Sequence, residues 1–328
     1  MKHQELGLSN EQVIDMYYTM LLARKLDERM WLLNRSGKVP FVISGQGQEA
    51  AQVGAAFALN PQEDYVAPYY RDLAVVLRFG MTAKHIMLSA FAKAEDPNSG
   101  GRQMPGHFGY KKGNILSGSS PVATQIPHAV GVALAGKMDG KDFVTFVSLG
   151  EGSTNQGDFH EGLNFAGVHK LPVITFVENN RYAISVPFEK QVASATVAER
   201  ASSYGMQGVR VDGTDPLEVY RVTKEAVARA KNGEGGTIIE AMTLRLTAHS
   251  SDDDQRQYRS SEELEAQKEQ DPLPRFEAYL VEHGVLDTAA LENMHQDIKQ
   301  LVNEATDYAE EAPYATPETA LQYVYGEE

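Results

Sequence analysis

Two apolar runs, Phe143-Val144-Thr145-Phe146-Val147-Ser148-Leu149 and Pro172 to Val177, each lead directly into a turn of glycine or asparagine: Gly150-Glu151-Gly152 after the first, Glu178-Asn179-Asn180 after the second. Glu151 and Asn180 are 29 residues apart, a spacing that accommodates a turn, a crossover helix and the next strand. Further strands are expected at 208–211 and 237–242, with helices at about 157–169 and 216–231 between them. Strands that are apolar throughout and alternate with helices imply a mostly parallel central sheet flanked by helices on both faces. In such α/β sheets ligands sit beyond the carboxyl ends of the strands. Both turns lie at such ends.

The remaining segments fit around that core. Ser9-Asn10 with Glu11 starts a long amphipathic helix running through Met16, Met20, Leu26, Met30 and Leu33 to about Gly37. A packed helix is expected from Gly47 to Leu59, a short strand over 64–68, and helices over 73–80, 83–92 and 124–135. Residues 96–121 hold six glycines with little periodicity, and a loop of that length in a compact domain is usually functional. A polar stretch follows the last strand over 247–261, and helices near 275–284 and 288–310 form a C-terminal appendage. We therefore expect one domain over 1–328, with an N-terminal helical segment (1–60), an α/β core (61–260) and a helical C-terminal region (261–328).

Composition removes several function classes. The formal charge of −15 argues against a nucleic-acid binder, which needs a basic face, and against attraction to anionic lipid. Cysteine is absent, which excludes disulfides, thiolate catalysis and Cys-zinc sites. The opening residues MKHQELGLSNEQ lack the basic-then-apolar pattern of a signal peptide, and no run reaches the length of a membrane span. The expectation is a cytoplasmic protein.

The chemistry concentrates in a few places. A carboxylate and a carboxamide at neighbouring strand ends supply hard oxygen donors, the ligand type magnesium shares with phosphates. Gly-Glu-Gly alone is a common turn; the downstream Asn-Asn at this distance is what gives it weight. Arg71, in Tyr69-Tyr70-Arg71-Asp72, is of the residue type suited to bidentate phosphate binding. His249, in Arg245-Leu-Thr-Ala-His-Ser-Ser-Asp-Asp-Asp, follows a strand end and exchanges protons near neutral pH. His107 and His128 read as structural. Phe41 is a candidate wall for a substrate pocket or a core residue. No Gly-x-Gly-x-x-Gly follows the 143–149 strand, so a dinucleotide site is a poor fit.

The stretch GEGSTNQGDFHEGLNFAGVHKLPVITFVENNRYAIS resembles the thiamine-diphosphate motif, Gly-Asp-Gly followed some thirty residues later by Asn-Asn. It is more closely similar to the alpha subunits of the dehydrogenases that decarboxylate pyruvate or branched-chain 2-oxo acids. The likeness extends from about Gln12 to the C-terminus and includes GRQMPGHFG (101–109), SSPVATQIPHAVG (119–131) and HSSDDD (249–254). Where the usual motif has Asp, this chain has Glu151, as branched-chain members commonly do. The resemblance implies that Glu151, Asn180 and the Tyr182 carbonyl bind magnesium. Gly152 and Ser153 amides would reach the diphosphate at the start of the following helix, together with Tyr70 and Arg71. Ser120 and the Val122 carbonyl would line the aminopyrimidine pocket, and Ser119, Pro121, Thr124 and Gln125 match a potassium site of branched-chain members. His249 would sit by the diphosphate and assist acyl transfer to a lipoyl group. Ser250 occupies the position that animal relatives phosphorylate, and the acidic run 252–254 is expected to be solvated and mobile until cofactor binds.

The family's division of labour implies partners as well. A beta subunit would complete an α2β2 heterotetramer and supply the carboxylate that activates the cofactor. A lipoyl domain of an acyltransferase core would receive the acyl group. The expected activity is lipoamide-acylating oxidative decarboxylation of branched-chain 2-oxo acids. The alternatives are a pyruvate or acetoin dehydrogenase alpha subunit, and a catalytically silent cofactor-binding subunit.

Overall fold

The computed structural model describes residues 2–322. Helix α1 (Asn10–Arg35) begins at a capping box in which Ser9 Oγ accepts from the Gln12 amide and the Gln12 side chain accepts from the Ser9 amide. Two donors that helix starts leave without intrahelical partners are thus satisfied. Its buried face, including Val13, Met16, Tyr17, Met20, Arg24 and Asp27, recurs at three- and four-residue steps. Then follow α2 (Glu49–Phe57), β1 (Tyr65–Ala67), α3 (Leu73–Arg78), α4 (Ala83–Ala90), α5 (Gln125–Met138), β2 (Thr145–Gly150), α6 (Gly157–Val168) and β3 (Val173–Asn179). A small hairpin of β4 (Tyr182–Ala183) and β5 (Val186–Pro187) precedes β6 (Gln207–Asp212), α7 (Pro216–Lys231) and β7 (Thr237–Met242). The helices α8 (Ser261–Lys268), α9 (Pro272–Glu282) and α10 (Thr288–Glu311) make up the C-terminal region.

The main sheet has the order β1-β2-β3-β7-β6, and every pairing in it is parallel. Side chains alternate across a strand, and here both faces are covered. Phe146, Ile174, Phe176, Ile239 and Ala241 pack into one apolar cluster with residues of α1 to α4, α7, α9 and α10. Val147, Leu149, Val173, Val177 and Ile238 face the other way, onto α5 and α6. That two-sided burial is why the strands read as continuous apolar runs. The register pairs Gly150 with Glu178 and Asn179 with Met242, so β2, β3 and β7 end level with one another.

Two features lay below what periodicity reveals. The β4–β5 hairpin has strands of two residues each, too short for any alternation to register. The glycine-rich segment 96–121 is not a free loop, since Val66 donates to Asn114 O and Leu116 donates to Val66 O. Residues 114–116 thereby run alongside β1. Among the described residues no helix is long and apolar enough to cross a membrane.

Close approach of α2 to α7 depends on Gly54. A Cβ there would lie 2.5 Å from Pro216 O and 2.7 Å from Val219 Cβ. Backbone and β-branched atoms cannot yield, so Gly54→Ala should overpack this contact and lower stability by about 2 kcal/mol. Urea unfolding checks this, and an unchanged midpoint would show that the helices are free to separate.

Candidate active site

Four neighbouring strands deliver side chains to one edge of the sheet. β1 leads to Tyr69-Tyr70-Arg71-Asp72, β2 to Gly150 and Glu151, β3 to Asn179 and Asn180, and β7 to the segment carrying Arg245 and His249. Residues scattered from position 69 to position 249 meet here because their strands are adjacent and parallel.

The structure brings Tyr70, Arg71 and His249 into direct contact. Arg71 is 2% exposed; its Nη2 lies 3.0 Å from His249 Nδ1 and donates to His249 O at 3.2 Å, while Nη1 donates to Ser44 O at 2.5 Å. The guanidinium lies over the Tyr70 ring, and that ring meets His249 edge-on. A guanidinium only donates, so Nδ1 must accept and the proton of neutral His249 resides on Nε2. Burial, followed by the charges of Arg71 and Arg245, pushes the His249 pKa down to about 4, against a smaller opposing effect of Asp253. At neutral pH His249 is therefore an uncharged ring presenting an Nε2–H donor.

Glu151 and Asn180 also converge. Glu151 is 1% exposed. Burial raises its pKa, and the opposing influences are its own amide, Gln191, the Asn180 amide and Arg245. Gln191 Nε2 donates to Glu151 Oε1 at 3.3 Å. The two asparagines divide their tasks. Asn179 donates to Glu240 at 2.7 Å and accepts from the Arg181 amide at 2.9 Å, which fixes the strand end. Asn180 Oδ1 accepts from the Tyr182 amide at 3.2 Å. The β4 strand then passes so close to Gly152 that a Cβ there would lie 2.5 Å from Ala183 Cβ; glycine is required.

Beneath this layer lies a fully buried acid pair. Burial, followed by the facing Asp72 carboxylate, pushes the Glu178 pKa well up. Ser148 Oγ and the Tyr69 amide donate to Asp72, and Gln52 and Tyr69 OH donate to Glu178.

The segment 119–125 is partly assembled with the rest. Gln125 Nε2 donates to Ser148 O on β2, while its Oε1 is buried without a hydrogen-bond partner. Thr124 Oγ1 donates to Asp158 at 2.9 Å. Ser119 and Val122 are half-buried and Pro121 is exposed. Ser120 is exposed, with its hydroxyl 2.6 Å from His107 Nε2.

Two expectations need correction. Gly152 and Ser153 do not begin the long helix that follows; they lie in a 3-10 turn, Glu151–Asn155, and α6 starts only at Gly157 because Gln156 is extended. The acidic run 252–254 is not uniformly solvated. Asp253 accepts from the His249 amide at 2.8 Å and from Tyr258 OH, which ties the loop to the site, and Ser250 is buried. Sequence reasoning also passed over Arg245, which is 1% exposed and donates to Ile184 O and Tyr258 OH. Its Nε is buried without a partner. An arginine in a polar stretch carries no mark of burial; only the fold of the 245–259 loop reveals it.

The sequence profile of the dehydrogenase E1 component family matches residues 17–318. The chain belongs to that family. The matched span takes in every residue named above for the site. The chain is 66% identical over 324 residues to the 2-oxoisovalerate dehydrogenase subunit alpha of Bacillus subtilis, covering 99% of this chain and 98% of that protein. The 3-methyl-2-oxobutanoate dehydrogenase subunit alpha of Mycobacterium tuberculosis is 38% identical, covering 98% of this chain and 84% of that protein. The pyruvate dehydrogenase E1 component subunit alpha of Bacillus subtilis is 40% identical, covering 91% and 79%. As an E1 component, the chain is thus much more similar to a 2-oxoisovalerate protein than to a pyruvate protein of the same organism.

The depressed His249 pKa has a consequence for stability. An unfolded histidine takes up its proton near pH 6.5, the folded one only near pH 4. Between those values the unfolded state binds more protons, so this contribution to stability is lost as pH falls. His249→Gln removes it. Its thermal midpoint should fall less steeply than the wild type's between pH 6.5 and 4, and parallel curves would contradict the assignment.

Proposed function

We propose that the chain is the alpha subunit of a thiamine-diphosphate- and magnesium-dependent branched-chain 2-oxo acid dehydrogenase. It acts with a beta subunit in an α2β2 assembly, decarboxylates 3-methyl-2-oxobutanoate and passes the acyl group to a lipoyl domain of an acyltransferase core. The observation that carries this reading is the pattern of buried charge at the sheet edge. Glu151 on one side and Arg71 and Arg245 on the other are buried together, yet none of them forms an ion pair among the described residues. A cation–diphosphate unit complements that pattern: the carboxylate suits the metal and the guanidinium groups suit the phosphates. The identity to the 2-oxoisovalerate subunit supports the substrate class.

In this reading Glu151, Asn180 Oδ1 and the Tyr182 carbonyl hold magnesium. Among the described residues no group of three or more His, Asp or Glu side chains could hold a metal alone. The single carboxylate therefore relies on neutral oxygens and the diphosphate to complete an octahedron. Tyr70, Arg71 and the Gly152 and Ser153 amides hold the diphosphate, and the close approach of Gly152 to β4 keeps the turn that bears them in place. Ser120 and the Val122 carbonyl receive the aminopyrimidine. The orphaned Gln125 Oε1 supports a potassium site with Ser119, Pro121 and Thr124.

Held there, thiamine diphosphate would supply the nucleophile and electron sink that decarboxylation of a 2-oxo acid requires. His249 offers its Nε2–H to the reacting oxygens as a neutral hydrogen-bond donor, which favours negative charge developing there. The carboxylate that activates the aminopyrimidine is assigned to the beta subunit, so this chain alone is expected not to turn over.

A substrate panel tests the reading. The assembled α2β2 enzyme should favour 3-methyl-2-oxobutanoate over pyruvate and acetoin, and the alpha chain alone should be inactive. Preference for pyruvate would overturn the substrate class; turnover without the partner would overturn the division of labour. Glu151→Ala should abolish magnesium-dependent cofactor binding in a calorimetric titration, and binding like the wild type's would remove Glu151 from the metal site.

A further inference from the structure

The aim of the Arg71 guanidinium traces back through hydrogen bonds to a buried carboxylate on α1. Asp27 is 3% exposed and forms no ion pair among the described residues. Its Oδ2 accepts from the Gly45 amide at 2.7 Å and from Ser44 Oγ at 2.9 Å, and its Oδ1 accepts from Gln46 Nε2 at 3.4 Å. Ser44 Oγ in turn accepts from the Gln46 amide at 3.1 Å. The turn built this way presents the Ser44 carbonyl, which receives Arg71 Nη1 at 2.5 Å, and Arg71 Nη2 reaches His249. Asp27, Gly45, Tyr70 and Arg71 border one narrow cavity, with Phe41 and Phe108 on its apolar side.

Burying a carboxylate without a cation is costly, and fold alone gives little reason for it here. The charged groups around Asp27 are few. Glu49, on α2, is held by Arg24 and the Gly47 amide, and its charge adds to burial in raising the Asp27 pKa, to about 6. Arg24, on Asp27's own helix, is engaged by Glu49 and Asp271. Arg71 stands across the cavity. A carboxylate gives the turn what a carboxamide cannot: charge-assisted acceptance of two donors at one oxygen while the other oxygen also accepts.

We propose that Asp27 is a positioning residue of the diphosphate site: it sets the 44–46 turn, whose Ser44 carbonyl aims Arg71 at the diphosphate. This rests on the reading of Arg71 as a diphosphate ligand given above.

The test is a double-mutant cycle on cofactor affinity, read by calorimetric titration of thiamine diphosphate with magnesium into the α2β2 enzyme. Asp27→Asn should weaken binding about tenfold, an effect of the size of one charge-assisted hydrogen bond. Turnover at saturating cofactor should stay within about twofold, because Asp27 acts on binding rather than on the reacting atoms. In an Arg71→Lys background, where the fork between Ser44 and His249 is already lost, Asp27→Asn should weaken binding by less than about twofold further, since coupled residues are non-additive. Equal losses in both backgrounds, together with a lowered thermal midpoint, would mark a merely structural role and overturn the proposal. Wild-type affinity in Asp27→Asn overturns it outright. Should Asp27→Asn fail to assemble, Ser44→Ala keeps the carbonyl but removes the hydroxyl donor; it should weaken binding about threefold, and unchanged affinity overturns the proposal. A wild-type enzyme that did not bind thiamine diphosphate would overturn the assignment of Arg71 and this step with it, whereas wild-type binding with an unaffected Asp27→Asn overturns this step alone.

Discussion

Glu151, Arg71 and Arg245 are withdrawn from water at the same sheet edge without being joined to one another. Desolvating ions costs several kcal/mol each unless well-placed partners offset it. The chain meets part of that cost with neutral donors and acceptors: Gln191 and the Asn180 amide for Glu151, the Ser44 carbonyl and His249 for Arg71, and Ile184 O and Tyr258 for Arg245. The level ends of β2, β3 and β7 make the arrangement possible, because a shift of register would carry Glu151 and Asn180 apart. Burial first, and then the charges of Arg71 and Arg245, lower the basicity of His249 and leave it a neutral donor, so the two buried arginines also act on the protonation state of the histidine.

A second layer holds the first in place. The buried Asp72–Glu178 pair anchors Tyr69 and Ser148 at the ends of β1 and β2. Asn179 and Glu240 do the same between β3 and β7. Ser148, Glu178, Asn179 and Glu240 lie in the carboxyl-terminal halves of their strands, interleaved with core residues such as Leu149 and Ala241. Near their carboxyl ends the strands thus add buried polar side chains to the apolar core, and the hydrogen bonds of these side chains hold the residues at the sheet edge in position.

How much of this could be read from the chain depends on whether a residue's role is local. The helix over 216–231 and the strands before Gly150 and Asn179 were legible because apolar periodicity, a Pro at the helix start and Gly or Asn at the exits are local signals. The Glu151-to-Asn180 spacing was legible because a crossover between adjacent parallel strands has a characteristic length. The β4–β5 hairpin, the burial of Arg245 and the folding-in of Asp253 were not, since each depends on what a distant segment presses against it. The requirement for glycine at 152 likewise has its cause outside the motif, in Ala183. Asp27 is the plainest case: on α1 it looks like one more acidic residue of an amphipathic helix, and only the turn at 44–46 makes it a buried acceptor.

The central claim is that Glu151 and the buried arginines are matched to a metal–diphosphate unit, so that cation and anion bind as one. The most direct measurement is calorimetric titration of thiamine diphosphate into the α2β2 enzyme with and without magnesium. Tight binding that requires both, weakening at least about a hundredfold without the metal, is the result this account predicts, since removing one partner leaves the other's protein ligands buried and uncompensated. Equal affinity with and without magnesium would contradict it.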